Sequence, residues 1–487
     1  MEHALHWSIW SASIFYSLFK FKKSCEYHPR YSPDDFSKGW NVFSSEHIMK
    51  DNSDLEWLIL TSTFKKFYLI LLVEVICSQI ILRINKLIIL VFYSIFSLMC
   101  LTIIVGRPAV LLFLLYPALM FIVHRIGRKH ICYLLTIFTL LLVHQPSFHI
   151  VKASLALGDS ESFLFDVALA WLTIKSLSFA VDRIDAKIYS SWTSSDIFSI
   201  LAYCFYLPVF FTGPIMNYET FCEMQKSSRP IPLKEFILRF LHLLFCRISW
   251  YFVYELFLLF IYSSAVQFYP DEVKNYDSWA LCGLGYALPM MFFLKYYVIY
   301  GTANGIGKLE GFELPPPPKC ISCIHLSSFL WRHFDRGLYL WILKYLYYPV
   351  MNSQLIVLRK MVALALCFGF VCIWHGMDKS ICLSSTINCL LVASEIIVKF
   401  ILTTRIGKTF EKLPSAVKSR ISAAVSTPHF LMMCLSCCFF LSNFEIGMLL
   451  IKRIFSGDVY PLGPLLFIMY CGCHVSMDSK EAAKKTI

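Results

Sequence analysis

Charge is what this sequence has least of. Asp, Glu, Lys and Arg make up 16% of its 487 residues against 57% apolar ones, and the mean hydropathy is +0.62. Soluble domains carry about 25% charged residues, so this chain cannot clothe a water-facing surface, which excludes an ordinary soluble enzyme. An N-x-Ser/Thr acceptor is also missing, and nothing in the sequence suggests a large glycosylated domain. No internal repeat is visible, which argues against a transporter built from inverted halves. The first apolar run, about residues 4–19, lacks a small-residue cleavage site and reads as a signal anchor.

Long apolar runs are abundant. They recur at about 57–82, 86–105, 108–124, 131–150, 163–181, 197–216, 234–264, 279–301, 337–350, 360–378, 383–403, 426–451 and 458–473. A helix rises about 1.5 Å per residue, so roughly 20 apolar residues cross the hydrocarbon core. The expectation is an all-α, polytopic transmembrane helical bundle of about ten to twelve spans, one or two of them re-entrant. Residues 1–190 would form N-terminal transmembrane helices with a polar loop, and 191–487 a core that carries the polar motifs taken up below. The net charge of +12 sits in short connectors such as Lys20–Lys23, Arg83–Lys86, Arg125–Lys129 and the block Arg405–Arg420. That is the positive-inside pattern of cytoplasmic loops, not a basic face for nucleic acid. The basic flank after the first run favours an external N-terminus.

The nineteen cysteines are scattered through apolar runs, as at Cys367, Cys372, Cys434, Cys437 and Cys438. They read as small buried hydrophobes, not as the disulfide framework of a small secreted domain. Cys471-Gly-Cys473-His474 is the nearest approach to a metal motif, and no metal is expected there. Two polar stretches interrupt the apolar pattern, at about 20–56 and 302–330; the second holds four consecutive prolines, Pro315–Pro318, an extended connector. Glycines 301, 305 and 307 superficially suggest a phosphate loop, but the spacing is one residue too long and Leu309 replaces the required Ser/Thr. The segment is expected to be a loop.

Polar groups at membrane depth are the informative ones, because a charge at a helix centre costs about 2.5–3.5 kcal/mol on insertion scales. Two segments qualify: Trp331-Arg332-His333-Phe334-Asp335-Arg336-Gly337-Leu338-Tyr339, and Ile373-Trp374-His375-Gly376. Taken alone, Asp335 reads as an ion-pair partner of Arg332 at i−3, and His375 as a helix-terminal histidine stopped by Gly376. Taken together, an imidazole and a carboxylate on the shoulders of two apolar runs can meet inside a bundle and manage a proton.

This pair, FDRGL followed forty residues later by WHG, resembles the membrane-bound O-acyltransferase superfamily. Tyr203 to Pro208 with Gly213-Pro214-Ile215, Lys295-Tyr296, Pro317 to Ser322 and Leu441-Ser442-Asn443 are similar to further segments of that family. Most members carry Asn at the upstream position. An aspartate in a W-R-x-F-D-x-G-L context is similar to the branch that palmitoylates the N-terminal cysteine of hedgehog-type secreted proteins. The resemblance is strongest over about 195–380 and weak before about 190.

The resemblance implies His375 as the catalytic histidine with Asp335 as its partner, and Trp331, Arg332 and Arg336 about the acyl-CoA. Cys320 would stand where the family has a haem ligand, making haem b a candidate cofactor. Palmitoyl-CoA would be the co-substrate, the partner a luminal secreted protein with an N-terminal cysteine, and the enzyme a monomer. Lys484 and Lys485 resemble a dilysine retrieval signal, which implies the endoplasmic reticulum membrane and a cytosolic C-terminus. Two alternatives stand beside this: transfer to a hydroxyl (a Wnt-type serine or a lysophospholipid), or a non-catalytic relative.

Overall fold

The computed structural model describes residues 2–27, 30–40, 48–188, 193–351, 356–456 and 462–485. Among them, nine helices are long and apolar enough to span a membrane, or ten if the pair Lys129–Val143 and Pro146–Ser154, bent by 78°, counts as one. The protein is a polytopic helical bundle. Fewer unbroken spans form than the apolar runs suggest: the helices of the first and last runs, Glu2–Ser24 and Leu462–Lys485, are not among the nine, the bent pair breaks a third, and two further runs do not stay helical. Run 197–216 becomes the short helix Ser194–Phe205, which stops before Pro208. Run 337–350 is divided into Arg336–Ile342, a π-turn Leu343–Tyr347 and a 3-10 turn Tyr348–Val350. Hydropathy registers an apolar run but not the proline and π-bulge that interrupt its hydrogen-bond ladder.

Helix Asp159–Asp185 lies at the centre, and every residue from Trp171 to Ile184 is buried, so no face of that stretch is open. It can be buried all round because its polar residues find partners: Thr173 and Ser176 donate to the carbonyls four residues back, at 2.7 and 2.8 Å, Lys175 donates to the Val209 carbonyl at 3.0 Å, Arg183 donates to Asp196 at 2.5 Å, and Asp182 accepts the Tyr345 hydroxyl at 2.8 Å. The 33-residue helix Ser278–Glu310 is the second axis. It crosses the N-terminal helix Glu2–Ser24 so closely that a methyl group on Gly283 would lie 2.2 Å from the Ser17 carbonyl oxygen.

That long helix overturns the loop expected at 301–309. The glycines there are helical, and Gly301 and Gly305 accept Arg247 and Leu243 of helix Leu233–Phe257 into the space a side chain would occupy. In a membrane, small residues mark close helix crossings rather than turns. The polar stretch 20–56 holds a small antiparallel pairing, Phe36–Lys38 with Met49–Asp51, in the register Phe36 to Asp51. Asp51 is buried, and its carboxylate accepts the backbone N–H groups of Ser53, Ser264 and Ala265 at 3.0 Å each. Burial pushes this carboxyl up to about 6 despite those three donors.

Candidate active site

Asp335 and His375 line the same cavity, about 310 Å³ in volume. Its walls are almost wholly apolar or aromatic, with Trp171, Phe292, Trp331, Phe430 and Phe440 among them. Two tryptophans set the pair in place by hanging on one helix. Trp341, wholly buried, donates its indole N–H to the Ile174 carbonyl at 3.2 Å, and Trp374 donates to Ala170 one turn away, also at 3.2 Å. The segment bearing Asp335 and the helix ending before His375 therefore share the central helix as a common reference.

Around Asp335 the chain does not run on as a helix. Helix Ser327–Phe334 ends there, Asp335 adopts extended angles (φ −114°, ψ 90°), and helix Arg336–Ile342 begins with Asp335 as its N-cap. One carboxylate oxygen accepts the Leu338 N–H at 2.8 Å; the other accepts the Tyr300 hydroxyl at 2.7 Å. The helix break removes the i−3 relation on which an ion pair with Arg332 depended. Arg332 and Arg336 instead sit over the Tyr339 ring, 6.0 and 5.4 Å from its centroid, and neither lines the cavity. Trp331 does line it, with its ring edge on Phe368 and its indole N–H buried without an acceptor among the described residues.

His375 follows helix Ile356–Trp374 and begins a turn of two left-handed residues, Gly376 (φ 96°) and Met377 (φ 59°). Its ring stands edge-on to Trp374 and Phe440, with centroids 4.7 and 5.0 Å away. The ring nitrogens have no hydrogen-bond partner among the described residues, and the side chain is accessible from the cavity it lines.

Four residues stand here that the sequence did not single out as site residues. Tyr300 holds Asp335, as above. Tyr296, one turn earlier, also lines the cavity and donates to Glu56 at 2.8 Å. Lys295 is buried and reaches Asp54 and Glu56 at 2.8 Å, so residues of the 20–56 stretch brace the helix that carries both tyrosines. Phe440, against the His375 ring, is the fourth. The signals available beforehand were the family-like Lys295-Tyr296 segment and the tyrosine spacing at 296 and 300, which repeats once per helical turn.

Other expected residues lie elsewhere. Asn443 caps helix Phe444–Phe455 by accepting from Ile446 at 3.0 Å, and its amide donates to the Gln267 carbonyl at 2.7 Å. Tyr206 donates to the buried Glu310. Lys484 and Lys485 end helix Leu462–Lys485, and their side chains lie outside the described residues. Cys320 is exposed, with its sulfur 3.2 Å from the Ser322 hydroxyl; Ile321 and Ser322 line the cavity and Cys320 does not. Those surroundings offer a lone thiol and no walls for a macrocycle, so they do not fit a haem. Among the described residues no cluster of three metal-ligating side chains occurs.

The sequence profile of the membrane-bound O-acyltransferase family matches residues 57–438, and so spans both Asp335 and His375. The chain belongs to that family. Among similar proteins, the protein-cysteine N-palmitoyltransferase HHAT of Mus musculus is 26% identical over 446 residues, 88% of each chain. The protein-cysteine N-palmitoyltransferase Rasp of Drosophila melanogaster is 27% identical over 327 residues, 64% of this chain and 62% of its own. The HHAT-like protein of Mus musculus is 22% identical over 456 residues, 91% and 87% respectively. For this membrane-bound acyltransferase, the cavity that holds Asp335 and His375 is the candidate active site.

Proposed function

We propose that the protein transfers a palmitoyl group from palmitoyl-CoA to the N-terminal amine of a secreted protein that begins with cysteine, hedgehog-type proteins being the expected acceptors. The observation that carries this reading is the meeting of Asp335 and His375 in one apolar cavity. Such walls suit a long acyl chain, and the two polar groups can serve the reacting ends. A thioester is already activated, so the protein has to supply positioning and proton handling. A free α-amine ordinarily titrates at about 7.7–8.0, close to neutral, and becomes nucleophilic on losing one proton.

That first proton goes to solvent, and in this reading the free His375 ring takes a second one from the nitrogen as the amine attacks the thioester carbonyl. The carbon–sulfur bond breaks as the amide forms, and the imidazolium returns its proton to the departing CoA thiolate. Asp335 orients the acceptor cysteine, its carboxylate already turned by Tyr300 and Leu338. Holding both substrates in one enclosure lowers the barrier by removing their freedom of approach. Trp331 would contact the acyl-CoA inside the cavity, and Arg332 and Arg336 its phosphates outside. The dilysine residues Lys484 and Lys485 would return the protein to the endoplasmic reticulum, where such acceptors pass.

The test offers membranes carrying the full chain palmitoyl-CoA and matched peptides beginning with Cys, Ser or N-acetyl-Cys. The expected result is hydroxylamine-resistant labelling of the free-Cys peptide alone. Undiminished, hydroxylamine-resistant labelling of the N-acetyl peptide would overturn the amine as acceptor. Preferential labelling of the Ser peptide would favour a hydroxyl acceptor, and no labelling of any peptide a non-catalytic relative.

A further inference from the structure

Cys372 and Cys382 bracket the turn that carries His375. Cys372 lies in the last turn of helix Ile356–Trp374, and Cys382 in the first turn of helix Lys379–Ile401. Their sulfurs are 3.0 Å apart, closer than two unbonded sulfurs rest in contact. Both stand as thiols and both are half-buried, so neither is sealed from solutes. The backbone between them is already drawn tight: the Met377 N–H donates to the Cys372 carbonyl at 3.0 Å, and the Cys382 thiol faces the Met377 carbonyl at 3.4 Å. Gly376 and Met377 are both left-handed, and Met377 holds that conformation without a glycine's freedom.

Charge says which side of the membrane this turn faces. Both flanking helices qualify as membrane spans, so their far ends share the opposite face. Arg359 and Lys360 stand at the far end of the first; Lys399, Arg405, Lys408 and Lys412 follow or close the second. By the positive-inside rule those ends are cytosolic; Arg420, just beyond them, pairs with Glu2 at 2.8 Å, so the N-terminus shares that face, and the external N-terminus expected from Lys20–Lys23 is corrected. The 375–378 turn therefore lies at the non-cytosolic face, which in the secretory pathway is oxidising.

We propose that Cys372 and Cys382 form a disulfide at the non-cytosolic face, stapling the turn from which His375 projects. One thiolate attacks a disulfide oxidant, RSSR, releasing RSH and leaving a mixed disulfide. The second thiolate attacks the protein sulfur of that bond, closing Sγ–Sγ and releasing another RSH. Two electrons pass to the oxidant, and the two thiol protons end on the two RSH. Closure needs only a small sulfur movement, to the roughly 2.03–2.05 Å of a covalent bond. The bond would fix the strained turn, and with it the backbone that places the imidazole.

The test needs no acyl substrate, so it stands or falls apart from the acyl-transfer reading. Membranes holding the full chain are lysed with N-ethylmaleimide, digested with trypsin without reductant, and weighed by mass spectrometry. Peptides 361–379 and 380–399 should appear joined, and separate on reduction. Because Cys367 and Cys389 lie near one another deeper in the same two helices, Cys372→Ser is compared. The joined pair should vanish in Cys372→Ser and equally in Cys382→Ala, so poor yield of one variant does not blunt the result. A link that survives either substitution would overturn the proposal. So would recovery of Cys372 and Cys382 fully alkylated from wild-type membranes first treated with oxidised glutathione.

Discussion

The two ends of the site are built on opposite plans. At one end Asp335 is fixed: its two oxygens are committed to a backbone N–H and a tyrosine hydroxyl, and the helix supplying that tyrosine is braced by a buried ion pair. At the other end His375 is held only by aromatic edges, and its nitrogens are uncommitted among the described residues. A group that orients a substrate profits from being locked, since misplacement of about 1 Å can slow a reaction a hundredfold. A group that takes and returns a proton profits from nitrogens left open. On the proposed reading, this difference assigns positioning to Asp335 and proton transfer to His375.

Four substitutions sharpen or break this contrast. His375→Ala should lower acyl transfer by about 10²–10⁴-fold, the usual worth of a general acid–base group, with unchanged protein level on immunoblot; near wild-type turnover would remove His375 from the mechanism. Lys295→Met leaves Asp54 and Glu56 without their buried cation, which costs about 3–5 kcal/mol. It should be read first as loss of folded protein in detergent, by fluorescence-detected size exclusion after heating. Tyr300→Phe deletes one of the two bonds to Asp335, worth about 1–3 kcal/mol for a buried acceptor. It should reduce kcat/KM at normal abundance, with saturation by acyl-CoA little affected. The smallest effect is expected from Phe440→Leu, which removes an aromatic edge worth about 0.5–1.5 kcal/mol. A drop there as large as for Tyr300→Phe would mean the histidine is as tightly positioned as the carboxylate.

Most spans were legible in the sequence because the energetics of a bilayer act on single segments: an apolar run of the right length must be helical wherever it packs. Asp335 and His375 were legible for the same reason, as polar groups where polarity is disfavoured. What the sequence hid depends on segments meeting. Arg332 looked like the partner of Asp335 only on the assumption of one continuous helix, and the chain breaks there. The actual partner, Tyr300, lies on another helix. Glycines 301–307 looked like a turn because their close contact with Arg247 and Leu243 involves a separate helix. Cys372 read as one more buried hydrophobe until the chain reversal at Gly376 set it beside Cys382.

Gly337, two residues after Asp335, sits against the backbone of Ile215, where an added methyl group would lie 2.2 Å from a carbonyl oxygen. This matters to anyone interpreting variants of the chain. A survey scored by survival or activity alone would find Gly337 as intolerant as Asp335 and would assign both to the chemistry. Scored also for abundance, the two should separate, with alanine at 337 lost before it reaches the assay and alanine at 335 present but idle. Within one short motif, then, intolerance to change would have two unrelated origins, and on the proposed function only one of them concerns the reaction.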